Sequence, residues 1–139
     1  MGSAAPDRPA PARRQDPVLQ STLDRLVALA RSYHASTGRH LSVYGEIGEL
    51  YAATRLGLRL HRPHAQGSDG RLGNDFVEVK TIGPMSRSRT VTVETKGHFG
   101  KLVVVRVDEA FRLSHRMVDR AALRARGRKR VTLRWDALE

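Results

Sequence analysis

The stretch Leu102–Val107, LVVVRV, constrains the fold of this chain more than any other. A strand that is apolar at every position but Arg106 has almost no face to offer water, so it belongs at the centre of a sheet covered on both sides. The rest of the chain must supply those covers. With 139 residues and 15.5 kDa there is material for one domain. A chain of that size buries roughly two-thirds of its unfolded surface and needs neither metal nor disulfide for its core.

Residues 1–16 are rich in Ala, Pro and Arg without apolar periodicity, which predicts a disordered basic arm ahead of a single domain over 17–139. Leu19, Leu23, Leu26, Val27 and Ala30 then recur at helical spacing. Asp16 as N-cap and Pro17 at the first helical position start that helix, and Gly38 stops it after Thr37. A second helix is expected over Ser42–Leu56, with Ser42 as its N-cap, Glu46 near the first turn and Gly57 at its end. Beyond Gly57 the period changes from 3.6 to 2. Phe76, Glu78 and Lys80 share one side of a strand, and Val77, Val79 and Thr81 the other. Residues 70–74 carry turn chemistry, so a β-hairpin is expected there. Further strands are read at Thr90–Thr95, at Leu102–Val107, over Phe111–Val118 and over Arg128–Trp135, with a short helix from Asp119 to Ala125. There is no internal repeat. This order predicts an α+β or α/β chain around one central sheet.

Several function classes drop out. The chain has no cysteine, which excludes disulfide scaffolds, thiolate zinc sites and cysteine nucleophiles. No apolar run approaches the ~20 residues of a membrane span and no signal-peptide pattern is present, so the cytoplasm is the expected compartment. Neither a G-x-x-x-x-G-K-[ST] phosphate loop nor a G-x-S-x-G elbow occurs. The net charge is +11, and 21 of the 25 basic residues are arginine. Arginine's planar fork pairs two-pronged with phosphate oxygens, so nucleic acid is the expected partner class. The plainer reading is a codon bias combined with a solubility charge.

Polar residues inside strand patterns carry the chemistry. Glu78 and Lys80 stand two residues, ~7 Å, apart on one strand face. The hairpin would bring Asp69 beside Glu78, and two adjacent carboxylates repel unless a positive group lies between them. A hard divalent cation such as Mg²⁺ is the usual solution. Asp75 lies three residues before Glu78 and faces the other side, which leaves it as a hairpin residue. On the second helix, a count at 100° per residue puts the wet side at Tyr44, Gly48 and Arg55, so Glu46 and Glu49 both fall among small and apolar neighbours. A carboxylate so placed needs a cation or a hydrogen-bond partner. In the competing reading Glu46 is a helix-start charge and Glu49 pairs with Arg55 or Arg59. His61 and His64 lack a further ligand at suitable spacing and read as loop residues.

A helix bearing G-x-x-G-E (Gly45 to Glu49), an aspartate (Asp69), a hairpin and a strand reading E-x-K (Glu78, Lys80) resemble the PD-(D/E)xK nuclease superfamily over about Tyr44–Val107. The resemblance implies a restriction-endonuclease-like fold: a central mixed β-sheet flanked by helices, here with an N-terminal helical extension. It further implies Mg²⁺- or Mn²⁺-dependent hydrolysis of DNA phosphodiester bonds, with RNA left open as substrate. Asp69 and Glu78 would hold the metal, Glu49 would ligate through water or bind a second ion, and Lys80 would orient or activate the attacking water. Asp69 follows Ser68 where the family often has proline. Arg87, Arg89, Lys96, His98 and Lys101 around the third strand, and Arg124, Arg126, Arg128, Lys129 and Arg130 near the last helix, are the expected phosphate contacts. So small a chain would recognise nucleic-acid structure, work as a homodimer, or be recruited by a protein partner. The rival readings are a non-catalytic nucleic-acid-binding protein on the same fold and a basic interaction protein with a coincidental E-x-K.

Overall fold

The computed structural model describes residues 16–61 and 68–139, so all of the predicted arm over 1–16 except Asp16, and also His64, lie outside the described residues. Helix α1 spans Pro17–Thr37. The Asp16 carboxylate accepts the amides of Val18 and Leu19 at 2.9 and 3.3 Å, closing the N-terminus as the sequence implied. Gly38 ends the helix at φ 71°, a left-handed position that its amide uses to reach the His34 carbonyl at 2.8 Å.

Helix α2 spans Tyr44–Leu56 and not Ser42–Leu56. Ser42 does not cap it. Val43 occupies the cap position and offers only its carbonyl, which takes the Ile47 amide at 2.9 Å. The expected wet side is also corrected: Tyr44 and Gly48 are buried, while Gly45, Glu46 and Arg55 are exposed. The cause is that α2 packs on α1 as well as on the sheet, so a count assuming one apolar stripe misplaces the solvent face. Gly48 is where the helix comes closest to the sheet. A Cβ there would overlap the Thr81 hydroxyl.

The central sheet has five strands in the order β1-β2-β3-β5-β6: β1 Arg59–Leu60, β2 Gly70–Leu72, β3 Asp75–Ile82, β5 Lys101–Val107 and β6 Leu113–Asp119. β3 and β5 run parallel and the other pairs antiparallel. The β2–β3 turn is shorter than expected. Only Gly73 and Asn74 lie between the strands, with Gly73 at φ 61°, because Gly70–Leu72 pair with Asp75–Val77. β6 starts two residues later than predicted, since Phe111 sits at φ 61° in a turn whose Ala110 and Arg112 amides both bond the Asp108 carboxylate. β4 (Thr90–Glu94) and β7 (Arg130–Arg134) pair only with each other, forming a ribbon separate from the central sheet.

Each face of LVVVRV finds its cover. Val103, Val105 and Val107 pack with Val77 and Val79 against Leu23, Ala30, Tyr44, Ile47, Tyr51 and Ala52 of the two helices. Leu102 and Val104 face Val91, Val93, Val131 and Leu133 of the ribbon, with Leu123 of the short helix α3 (Arg120–Arg124) and Trp135. A hydrogen bond of 2.9 Å between Tyr51 Oη and His115 Nδ1 ties α2 to β6. The result is a mixed α/β fold: a mixed sheet with helices on one face and the ribbon with α3 on the other. Among the described residues no helix is long and apolar enough to cross a membrane.

The close approach at Gly48 has a measurable consequence. Gly48→Ala should cost about 1–3 kcal/mol in urea denaturation, the range for an overpacked contact. Thr81→Ala in the same chain should return part of it. A Gly48→Ala variant as stable as the parent would contradict the packing described.

Candidate functional site: an acidic cleft at the edge of β3

β2 covers β3 only over Asp75–Val77, so from Glu78 onward that edge of β3 has no strand partner among the described residues. A bare strand edge leaves amides that need acceptors. Asp69, immediately before β2, meets that need: its Oδ2 accepts the Val79 amide at 2.7 Å, and its own amide bonds the Val77 carbonyl at 2.9 Å. Those two bonds hold the Asp69 carboxylate beside Glu78.

Glu78 and Lys80 project from β3 toward the ribbon, their charged ends 3.8 Å apart. Together with Asp69 they form one wall of a cleft of about 590 Å³, whose other wall includes Thr92, Glu94, Gly97, Phe99 and Arg130. The Glu78 side chain is 22% exposed and the Lys80 side chain 39%. Burial raises the Glu78 carboxyl most, followed by the negative charge of Asp69. A hydrogen bond to Asp69 and the charge of Glu49 add to this, Lys80 opposes it, and the balance lies at about 7.

Glu49 does not line the cleft. It lies on α2 next to the closely packed Gly48, near enough to Asp69 for their charges to interact. Burial raises its pKa first, then the charges of Asp69 and Glu46. Among the described residues it forms no ion pair, so the expected alternative partners Arg55 and Arg59 are not engaged with it. Glu46 is exposed, one turn before Glu49 on α2. Among the described residues no three Asp, Glu or His side chains form a group that could hold a metal ion. Asp69 and Glu78 are therefore a two-carboxylate donor pair of hard oxygens. Such a pair suits Mg²⁺ or Mn²⁺, which keep several waters when bound, better than a metal that demands a full protein cage.

The expected phosphate contacts divide into distinct groups. Lys101 is paired with Asp75 at 3.4 Å and Arg89 with Asp136 at 3.8 Å, which ties both to local carboxylates. Arg130 pairs with Glu94 at 3.3 Å across the ribbon and lines the acidic cleft. Arg87 and Arg126 are exposed in turns, and exposed His98 packs its ring 5.7 Å from Phe76. His61 lies against Phe76 and Ser68, with no metal-ligand set around it among the described residues. Lys96, Arg128 and Lys129 share a second concavity with Arg124.

Two residues of this region escaped the sequence. Glu94 was within reach, because TVTVET alternates and places Glu94 with Thr92 on one face. Arg120 carries no sequence signal, although its guanidinium donates to the carbonyls of Thr95 at 2.7 Å, Phe99 at 3.1 Å and also Gly97. No protein-family model matches the chain, and no curated protein matches it.

The Glu78 carboxyl links stability to pH. Its folded pKa of about 7 stands above the ordinary 4.5, so the stability its retained proton contributes is complete below 4.5 and is lost as pH rises to about 7. Glu78→Gln removes this loss. In a metal chelator at pH 8 the variant should melt several degrees above the parent, at roughly 2–6 °C per kcal/mol for a chain of this size. At pH 4 the two should melt alike; a variant that melts lower at pH 8 would contradict the site's electrostatics.

Proposed function

We propose that this chain is a divalent-cation-dependent nuclease of the PD-(D/E)xK type, hydrolysing phosphodiester bonds in DNA. The observation that carries the reading is the convergence of Asp69, Glu78 and Lys80, from both arms of one hairpin, on a single open cleft. The mixed sheet with helices packed on one face is compatible with a restriction-endonuclease-like fold.

Asp69 and Glu78 are the residues that would hold the cation. When bound, it would neutralise charge on the nonbridging phosphate oxygens and make a water more acidic. The Val79 amide fixes the Asp69 carboxylate, so the donor pair is set before substrate arrives. Lys80 is close enough to Glu78 to be oriented by it, yet open to the cleft, so its ammonium can position the attacking water or stabilise negative charge on the phosphate. In the reaction the water oxygen bonds to phosphorus, the bridging P–O bond breaks, and the leaving oxygen takes up a proton. Glu49 adds negative charge behind Asp69, which strengthens the site's demand for a cation. Arg130, its side chain 73% exposed and paired with Glu94 at 3.3 Å, is placed to exchange that partner for a phosphate beside the scissile bond.

A non-catalytic nucleic-acid-binding protein is the second reading, favoured by the finding that, among the described residues, no third Asp, Glu or His joins Asp69 and Glu78 as a ligand group. Cleavage of supercoiled plasmid and branched DNA separates the two. The nuclease reading expects cutting with Mg²⁺ or Mn²⁺ and none in EDTA, with Lys80→Ala and Asp69→Asn each reducing the rate by about 10²-fold or more. DNA that is bound but uncut in every metal would overturn the nuclease reading and leave the binding protein.

A further inference from the structure

We infer that the groove between the β4–β5 and α3–β7 loops is a built track for the phosphate backbone of a nucleic-acid duplex, running directly on from the acidic cleft. This deepens the reading of nucleic acid as substrate, but it concerns grip and does not depend on cleavage.

The groove has a volume of about 500 Å³ and is lined by four cations, Lys96, Arg124, Arg128 and Lys129, besides Arg120, whose guanidinium bonds loop carbonyls. All four are exposed, and no acidic residue lines the groove. Among the described residues none of the four forms an ion pair, whereas Arg89, Lys101, Arg106, Arg112 and Arg130 each do. Four cations gathered without a counter-charge repel one another, and a polyanion removes that repulsion. Among the described residues no aromatic side chain lines the groove. Single-strand grooves hold their ligand largely by stacking bases on aromatic rings, so an all-cation, aromatic-free groove grips a backbone whose bases are turned inward.

The groove is held in shape. Arg120 donates to the carbonyls of Thr95, Gly97 and Phe99 and lies 5.1 Å over the Phe99 ring, fixing the loop that separates the two concavities. Thr95 ties that loop to the opposite wall: its amide bonds the Lys129 carbonyl at 2.9 Å and its hydroxyl the Arg128 carbonyl at 2.7 Å. The backbone of both walls is fixed in this way, so only the exposed side chains have to be ordered on binding. Position along the ribbon gives the offset. The last paired rung, Glu94 with Arg130, lines the cleft, and the next step, Thr95 with Lys129, lines the groove. One or two residues along a strand is ~3–7 Å, about one to two phosphate steps of a nucleic-acid strand.

The test is binding of a fluorescent 20-base-pair DNA duplex by the full chain in EDTA, with KCl varied from 50 to 200 mM. In the variant K96Q/R124Q/R128Q/K129Q the slope of log K against log[salt] should become shallower by about 2–4, at ~0.9 for each phosphate no longer neutralised. K96Q and K129Q alone should each remove up to about 0.9, which guards against a folding defect in the combined variant. R25Q/R31Q/R39Q/R59Q makes the same change in net charge elsewhere and should leave the slope near the parent's. An unchanged slope in the groove variants, or an equal loss in the control set, would overturn the track. A single strand that binds more tightly than the duplex and loses as much in the groove variant would overturn the duplex assignment. Cleavage in Mg²⁺ is read separately: no cutting with the slope change present removes the nuclease reading and leaves the track standing.

Discussion

The hydrogen bond from the Val79 amide to the Asp69 carboxylate, 2.7 Å long, is the interaction on which the site depends. β2 ends its pairing too early to satisfy the β3 edge, and an aspartate side chain takes the place of the missing strand. An edge amide left without an acceptor costs on the order of 1–3 kcal/mol where water is excluded, so there is a structural reason to keep Asp69 where it is. The consequence is electrostatic. A carboxylate held beside Glu78 by the backbone cannot swing away, and the partial burial of Glu78 weakens the screening of the two by water. The same bond that completes the sheet creates a local excess of negative charge in a chain whose net charge is +11.

The layers around the sheet explain why that excess is found at a cleft. Val77 and Val79 bury toward the helices, which leaves the alternate residues Glu78 and Lys80 to face the ribbon. The ribbon covers Leu102 and Val104 but stands off from β3 beside Glu78, and the space between becomes the cleft. Arg120 then holds the loop that closes one end of that space. Charge is thereby sorted: carboxylates gather along the β3 edge with Lys80 and Arg130 among them, and cations without an ion pair among the described residues gather beyond the end of the ribbon.

Much of this architecture was legible in the sequence. Asp16, Pro17 and Gly38 marked both ends of α1, because capping is local chemistry. LVVVRV announced a strand covered on both faces, and strand parity assigned Glu78 and Lys80 to one side and Asp75 to the other. Asp69 and Glu78 were paired through the hairpin, although the turn itself proved shorter than its glycines suggested. What stayed hidden depends on tertiary contact. The solvent face of α2 was misread because a helix covered on two sides carries no single apolar stripe, and Gly48, small for its packing on Thr81, looked like a surface residue. The pairing of β4 with β7 joins strands that are distant in sequence. Arg120 looked like any other arginine, since its three carbonyl partners come from a loop more than 20 residues away.

The central claim is that Asp69 and Glu78 form a cation site whose charge is unbalanced when no cation is present. Carboxyl-carbon NMR of the full chain labelled at glutamate, with Glu78 assigned from its Gln variant, reads this directly. In chelator Glu78 should titrate at about 7, and saturating Mg²⁺ should lower that value by more than about one unit as the positive charge favours the ionised form. A Glu78 that titrates at its ordinary 4.5 in chelator, or whose titration Mg²⁺ does not move, would contradict the account.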